Sequence, residues 1–387
     1  MYIKIISASH PNHVTPRQDF DIFGGHAAGV CYMQNTFDEL CQEPIEKTMR
    51  RVKLTKESGH HSVYDHMNIT LYMENIPRVI EVLLDNERMM TSSVKSGRYT
   101  RHALNDDEKT YYDKWYLIFK DLITAEYQKK FPAFFTDGKI DKLAMENARY
   151  VTGCFTLITM LHTFSYRQLN YVYGFIRDFV AKETTNDFIL RLKPYLTELL
   201  AEFEKTGYID QALTNNGKNR TLSLFNNYKP VEYFGDVYAT TYRGSFAHFL
   251  HANRHRTLKY HIAEPKIGDW YTPEILQGTK YAGEWVADLE KLKNNYPQAM
   301  ILDITEFGNL DDFVLKAIER KCSVVMLETT RAVNDILTRY HKALVASKHP
   351  RAGVLGVMTK GAKCTFPDFK CPAPCGFADA VNEKRKI

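Results

Sequence analysis

The 387-residue sequence has no run of about twenty apolar residues, which excludes a helix that crosses a membrane. Cysteine is sparse: seven residues, an odd number and mostly scattered, suit reduced thiols better than a disulfide framework. The opening MYIKIISASHPNH lacks the basic-then-apolar layout of a secretory signal, so a cytoplasmic location is expected. Charge of one sign is also scarce. A formal net charge of +5, spread along the chain, permits anionic small molecules and makes nucleic acid an unexpected partner. What is present is ordinary globular composition, 44% hydrophobic and 25% charged, in a chain long enough for two domains with separate cores.

One stretch organises the rest. Residues 245–260 read SFAHFLHANRHRTLKY. Ser245 is placed to cap a helix, and Phe246, Phe249 and Leu250 form an i, i+3, i+4 stripe that faces a core. Arg254, His255 and Arg256 then follow one another, concentrating positive charge and donors where a phosphate or a flavin would suit. A solvated helix end whose cations complement the helix dipole has the same pattern. His248, His251 and His255 also share a helical face, yet no acidic ligand keeps helical spacing with them. His251 and His255 are therefore read as lining a ligand site rather than holding a metal.

A second stretch, residues 76–100, repeats the plan. Asn75 is placed as a cap, Pro77 near the first turn, and Val79, Val82 and Leu83 form the stripe. Asn86, Glu87 and Arg88 then stand where the first stretch has Arg254, His255 and Arg256. Strand-like runs precede both, residues 67–73 (MNITLYM) and 236–242 (DVYATTY). Such correspondence marks an internal duplication.

Together these residues resemble the flavin-dependent thymidylate synthases, whose signature is Arg-His-Arg, seven residues, then Ser-x-Arg-Tyr. In the first copy Arg88 is followed after seven residues by Ser96-Gly97-Arg98-Tyr99, which keeps the end of the signature. In the second copy Arg254-His255-Arg256 keeps its start, while Glu264 occupies the Ser position. Each copy retains half. The run Gly59-His60-His61-Ser62, ending at Asp65-His66, is similar to another family pattern. Arg149 (after Ala148), Arg167 and Arg177 stand near family arginines, and Arg320 is the second-copy counterpart of Arg177.

The resemblance implies an enzyme that transfers a one-carbon unit from methylenetetrahydrofolate to C5 of a pyrimidine nucleotide such as dUMP, using FAD with NADPH as reductant. It implies a site shared between copies, with catalytic roles for Ser96, Arg98 and Arg256. Cofactor contacts would come from His66, Arg88, Arg254, His255 and Arg256. Substrate contacts would come from Ser96, Gly97, Arg98, Tyr99, Arg149, Arg177, His251 and Arg320. Active sites of this family are built between subunits of a homotetramer, so a fused duplicate implies a homodimer acting as a pseudo-tetramer. One site would be complete and the reciprocal one, with Asn86, Glu87 and Glu264, would lack its cations. His251 stands where the family has Gln, and Ser93 and Val94 where it has Asn and Glu. Another pyrimidine nucleotide, or hydroxymethyl transfer, would fit that drift. The rival reading is a catalytically silent nucleotide- or nucleic-acid-binding homologue.

Between the motifs, residues 107–131 carry Tyr112, Trp115, Tyr116 and Phe119 at helical spacing, a core or oligomer face. Residues 145–160 are expected to begin a second helical layer, and residues 167–200 to form a long amphipathic stretch bent near Pro194. Asn215-Asn216-Gly217-Lys218-Asn219 is the linker candidate. In the tail, Cys364, Cys371 and Cys375 suit zinc with a fourth ligand from elsewhere, or part of an iron–sulfur site. The expected fold is α+β: two tandem related domains, each a small, mainly antiparallel sheet packed with long helices. The first copy spans residues 1–215, the shortened second copy 216–350, and a Cys/Pro-rich tail 351–387.

Overall fold

The computed structural model describes residues 1–11, 15–88, 90–97, 104–214, 221–225, 229–255 and 257–387. Strand β1 (Tyr2–Ala8) and the short β2 (His10–Pro11) lead into helices α1 (Arg17–Tyr32), α2 (Phe37–Gln42) and α3 (Ile45–Glu57). Next come β3 (Asn68–Pro77), α4 (Arg78–Asn86) and β4 (Met90–Val94). Helices α5 (Asp106–Ile123) and α6 (Asp137–Ala148) precede β5 (Leu157–Ser165), α7 (Tyr166–Ala181), α8 (Asp187–Lys205) and α9 (Gln211–Thr214). The chain continues through β6 (Glu232–Phe234), β7 (Val237–Ser245), α10 (Phe246–Ala252), β8 (Lys259–Ile262) and α11 (Tyr281–Lys291). It ends with β9 (Ile301–Asn309), α12 (Leu310–Arg320), α13 (Leu327–Ala346), α14 (Ala352–Met358) and α15 (Ala378–Val381).

Two sheets form, and all their strand pairs are antiparallel. One has the order β2-β1-β3-β5-β4, the other β6-β7-β9-β8. Without β2 the orders are the same, and corresponding strands feed corresponding helices: β3 into α4 as β7 into α10, and β5 into α7 as β9 into α12. The sheets fit two tandem domains. One local difference is a bulge in β3 between Met73 and Ile76, where Asn75 takes φ 55°. The equivalent β7–β9 ladder runs unbroken from Val237 opposite Asn309 to Ser245 opposite Ile301. Asn75 is thus a bulge residue rather than the expected helix cap; Pro77 takes the cap position of α4.

The chain divides into two compact units. The first comprises Met1–Lys95 and Leu157–Ser223, the second Ser96–Thr156 and Leu224–Ile387. The units differ from the sequence-based domains at one large segment. Residues 96–156 fall within the first copy, and they pack with the second half of the chain.

In the first unit, Ile69, Leu71 and Met73 alternate inward along β3 beside Met160 and Phe164 of β5. Helix α8 buries Leu192, Leu196, Leu199 and Phe203, an i, i+4, i+7, i+11 stripe that survives Pro194 inside the helix. Two helices, α7 and α8, therefore replace the single bent stretch expected. The helical reading of residues 145–160 also fails beyond Ala148, because residues 157–165 alternate and form the central strand β5.

In the second unit, the helices inserted between sheet strands share one core. Trp115 and Phe119 of α5 meet Trp285 of α11, ring centroids 4.8 and 5.6 Å apart in edge-to-face geometry. Asn105 starts α5 by accepting the Glu108 N–H at 2.8 Å, with three acidic residues in the first turn. Trp115 and Trp285 are fully buried. Replacing Trp285 by Ala should lower the stability of this unit by about 3–5 kcal/mol. Urea unfolding of the full chain, followed by the signal of the remaining tryptophans, reads it; an unshifted midpoint would remove this pair as the anchor of residues 106–151.

Candidate functional site

Helix α10 opens as its sequence requires: Ser245 accepts the His248 N–H through Oγ at 2.9 Å. A long-range partner then fixes the cap. Glu328 of α13, fully enclosed, accepts the Ser245 N–H at 2.7 Å and the Ser245 hydroxyl at 2.6 Å. The Tyr150 hydroxyl also donates to Glu328, at 2.7 Å. Burial pushes the Glu328 carboxyl above the usual range, and these donors oppose that rise. One carboxylate thus ties together the start of α10, helix α13 and the turn that carries Arg149.

Arg149 points a guanidinium nitrogen to the Ala247 carbonyl of α10 at 3.5 Å and to the Met326 sulfur at 3.0 Å. One turn further along α10, His251 Nε2 lies 3.1 Å from Arg320 Nη1. The guanidinium can only donate, so His251 accepts through Nε2. The helix ends at Ala252, and His255 lies beyond it, nearly buried, with Nε2 3.4 Å from Glu319. Three histidines on one helical face are therefore not formed. Arg254 is exposed.

Ser96, Gly97, Arg149, His251, Arg254, His255 and Arg320 all belong to the second unit. Ser96 is half-buried and Gly97 buried. Arg98, Tyr99 and Arg256 lie outside the described residues, as do the linker candidates 215–219. His66, Arg88 and Arg177 belong to the first unit instead. His66 is exposed beside Phe23, and Arg88 is half-buried. Arg177 is partly exposed and bonds Asp178 at 3.1 Å, Gln211 at 3.3 Å and Thr214 at 3.4 Å. Arg167 pairs with Asp65.

At the end of α4, the counterpart of the Arg-His-Arg position serves the fold. Glu87 is buried and accepts the Ser223 N–H at 2.6 Å; Asn86 donates to the Ser223 hydroxyl at 2.8 Å. Sequence reasoning missed a buried network under α10. Lys316 of α12 pairs with Glu306 of β9, both fully buried, and Tyr238 and Tyr242 also donate to Glu306. Burial pushes the Lys316 ammonium down. The helical spacing of Lys316 and Arg320 was visible, but nothing local assigns Lys316 an acidic partner inside the sheet.

Among the described residues, no group of three or more His, Cys, Asp or Glu is placed to hold a metal ion. The expected zinc or iron–sulfur ligand set of Cys364, Cys371 and Cys375 is corrected accordingly; all three are free thiols, and Cys364 is exposed. Cys364 lies in a short 3-10 turn, Lys363–Thr365, and the C-x6-C-x3-C spacing lacks the paired ligand spacing of structural zinc sites.

The fold defines an α+β protein with a donor-rich site at the end of a short helix. Residues 19–183 match the family Thy1, thymidylate synthase complementing protein. Among solved structures it is similar to the UMP/dUMP methylase PolB from Streptomyces cacaoi bound with 5-Br dUMP. Identity there is 15%, coverage is 55% of this chain and 94% of that one, and the TM-score is 0.34. A second is the thymidylate synthase ThyX from Helicobacter pylori with FAD and dUMP, at 14% identity, 54% and 99% coverage and a TM-score of 0.29. No curated protein sequence matches the chain.

Within α10, His248 gives the unit a pH signature. Its ring is fully enclosed, with Nδ1 3.1 Å from the Thr329 hydroxyl and Nε2 3.3 Å from the Tyr242 hydroxyl. Burial, then Lys316 and Arg320, push its pKa down to about 3. Between that value and the ordinary histidine pKa of about 6.5, the unfolded chain takes a proton that the native ring refuses. Stability should therefore fall as pH falls below about 6.5, by up to about 1.4 kcal/mol per pH unit from this group. Glu328, with its raised pKa, acts in the opposite sense. The readout is thus the difference between wild type and His248→Gln in urea unfolding from pH 4 to 7. Parallel curves would contradict a neutral buried His248.

Proposed function

We propose that this chain is a flavin-dependent enzyme that transfers a one-carbon unit from methylenetetrahydrofolate to C5 of a pyrimidine deoxynucleotide, with dUMP as the first candidate. The observation that carries the reading is the placement of Arg149 against α10, in the unit that also holds the His251–Arg320 pair and Arg254. Ser96 and Gly97 from the first-copy half and Arg254 and His255 from the second-copy half belong to that same unit, which supports a site built from unlike halves. The Thy1 match supports the class of chemistry, and it covers His66, Arg88, Ser96, Arg98, Arg149 and Arg177.

The donor set suits the ligands. Methylation at C5 requires a site that holds a phosphate dianion and orients a base. Arg149, Arg254 and Arg320 keep their charge at any working pH and offer planar forks for phosphate oxygens. His251 already accepts from Arg320, which aligns that guanidinium. His255, beside Glu319, and the neighbouring Arg254 and Arg256 offer donors suited to the pyrophosphate or ring edge of FAD. The resemblance assigns cofactor contacts to His66 and Arg88 as well. FAD, when bound, supplies with NADPH the reducing equivalents that no side chain provides. The protein's share of the work is positioning and electrostatics, with Ser96 and Arg98 at the base and Arg256 at flavin and substrate.

The equivalent position in the first copy has Asn86 and Glu87 committed to Ser223, so the reciprocal site is assigned no turnover. A homodimer of two-domain chains acting as a pseudo-tetramer is part of the same proposal. His251 in the Gln position, with Ser93 and Val94, leaves room for a different pyrimidine or for hydroxymethyl transfer, which product analysis separates.

Purified protein should be yellow, with a flavin absorbance spectrum, and should release tritium from C5-labelled dUMP or dCMP given methylenetetrahydrofolate and NADPH. Arg256→Ala, Arg98→Ala and Arg320→Ala should each lower turnover by at least about a hundredfold, as loss of a charged transition-state contact does. Glu87→Gln, which preserves the bond to Ser223, should stay within about twofold of wild type. Activity lost in Glu87→Gln and kept in Arg256→Ala would reverse the assignment of half-sites. Tight dUMP binding without turnover under any reductant would replace the enzyme reading by a silent nucleotide-binding homologue.

A further inference from the structure

A cavity of about 570 Å³ in the second unit is lined by four of the seven cysteines, Cys322, Cys364, Cys371 and Cys375, with Lys139 and Lys363 on its wall. The volume suits a small molecule. Cys322 comes from the loop after α12, the other three from the tail, so two separate segments present thiols to one space. That meeting is held by other bonds. Arg385, 3% exposed, donates to the backbone carbonyls of Cys322, Ser323 and Val325 and to the Thr330 hydroxyl. The Lys363 N–H donates to the Lys321 carbonyl at 2.7 Å, and Lys321 Nζ to the Met358 carbonyl at 2.8 Å.

We propose that this cavity is a thiol-exchange site for a small anionic disulfide, which leaves Cys322 bonded to a tail cysteine. A metal requires at least three donors converged on one point, which the described residues do not offer. A disulfide requires the approach of only one pair. The lysines on the wall favour an anionic reagent and the thiolate that attacks it. Cys375 is the first nucleophile, because the Phe377 N–H points at its sulfur at 3.5 Å. Cys364 is the poorer one: burial, and then Cys375, Cys322 and Cys371, push its thiol up.

The exchange balances without a further reagent. The Cys375 thiolate attacks one sulfur of the incoming disulfide, forming a mixed disulfide and expelling one small thiolate. The Cys322 thiolate then attacks the Cys375 sulfur and expels the second. The two cysteine protons end on the two released thiols, the cysteine pair is oxidised by two electrons, and the reagent is reduced by two.

The test uses the full chain, reduced, desalted and exposed to glutathione disulfide or to the uncharged hydroxyethyl disulfide, with peptide mass mapping over time. The expected product is a peptide containing Cys322 joined to the one containing Cys375 and two hydrogens lighter than the reduced pair. It should form about tenfold faster with the anionic reagent, an advantage that Lys139→Gln reduces. Cys322→Ser and, separately, Cys375→Ser should each stop the link at Cys322, and circular dichroism checks that both fold. If Cys322 stays reduced while the exposed Cys31 and Cys41 react, the proposal fails. It fails equally if the protein retains stoichiometric zinc that Cys322→Ser releases, because the four thiols are then metal ligands.

Discussion

A single buried carboxylate, Glu328, holds the start of α10 beside the turn that carries Arg149. Glu328 is buried, so its oxygens must be satisfied largely by protein donors, and three converge on it: the Ser245 N–H, the Ser245 hydroxyl and the Tyr150 hydroxyl. Leaving a buried group of this kind without its donors costs several kcal/mol. That cost keeps the first turn of α10 beside the turn carrying Arg149. The same constraint sets the direction of α10, and so where His251 meets Arg320. The aromatic contact of Trp115 and Phe119 with Trp285 acts alongside it, removing large apolar surfaces from water and holding the α5–α6 segment to α11.

The two copies have used one plan for different ends. Strand order and the placement of helices after β3, β5, β7 and β9 are shared. Chemistry is not. At the end of α4 the polar residues turn inward, Glu87 and Asn86 onto Ser223, whereas beyond α10 Arg254 stays exposed and His255 faces Glu319. The interior of the second sheet carries the Lys316–Glu306 pair with two tyrosine hydroxyls, a polar cluster that is fully satisfied and therefore tolerable in a core.

Much of the local structure was legible in the residues. Ser245 reads as a helix cap and is one, and Asn309 caps α12 in a reciprocal box with Asp312. The runs at residues 67–73 and 236–242 read as strands and lie in β3 and β7. Failures came where local pattern was ambiguous. Residues 157–160 continue an apolar stretch that suits helix or strand, and only pairing with β3 and β4 decides for strand. Asn75 has the composition of a cap, and the extra residue in β3 makes it a bulge instead. For the candidate site, the residue types were visible as a motif, while their supporting partners, Glu328 and Glu319, were not.

By itself the sequence determined the class of fold and many of its local elements, because caps and alternation depend on residues a few positions apart. Tertiary structure alone decided which halves of the chain share a compact unit. Residues 96–156, continuous with the first copy, pack with residues 224–387. That choice rests on contacts such as Tyr150 with Glu328, 178 residues apart, and Trp115 with Trp285. Burial of charge and of aromatic surface selects such partners by fit in three dimensions, and no spacing along the chain encodes them.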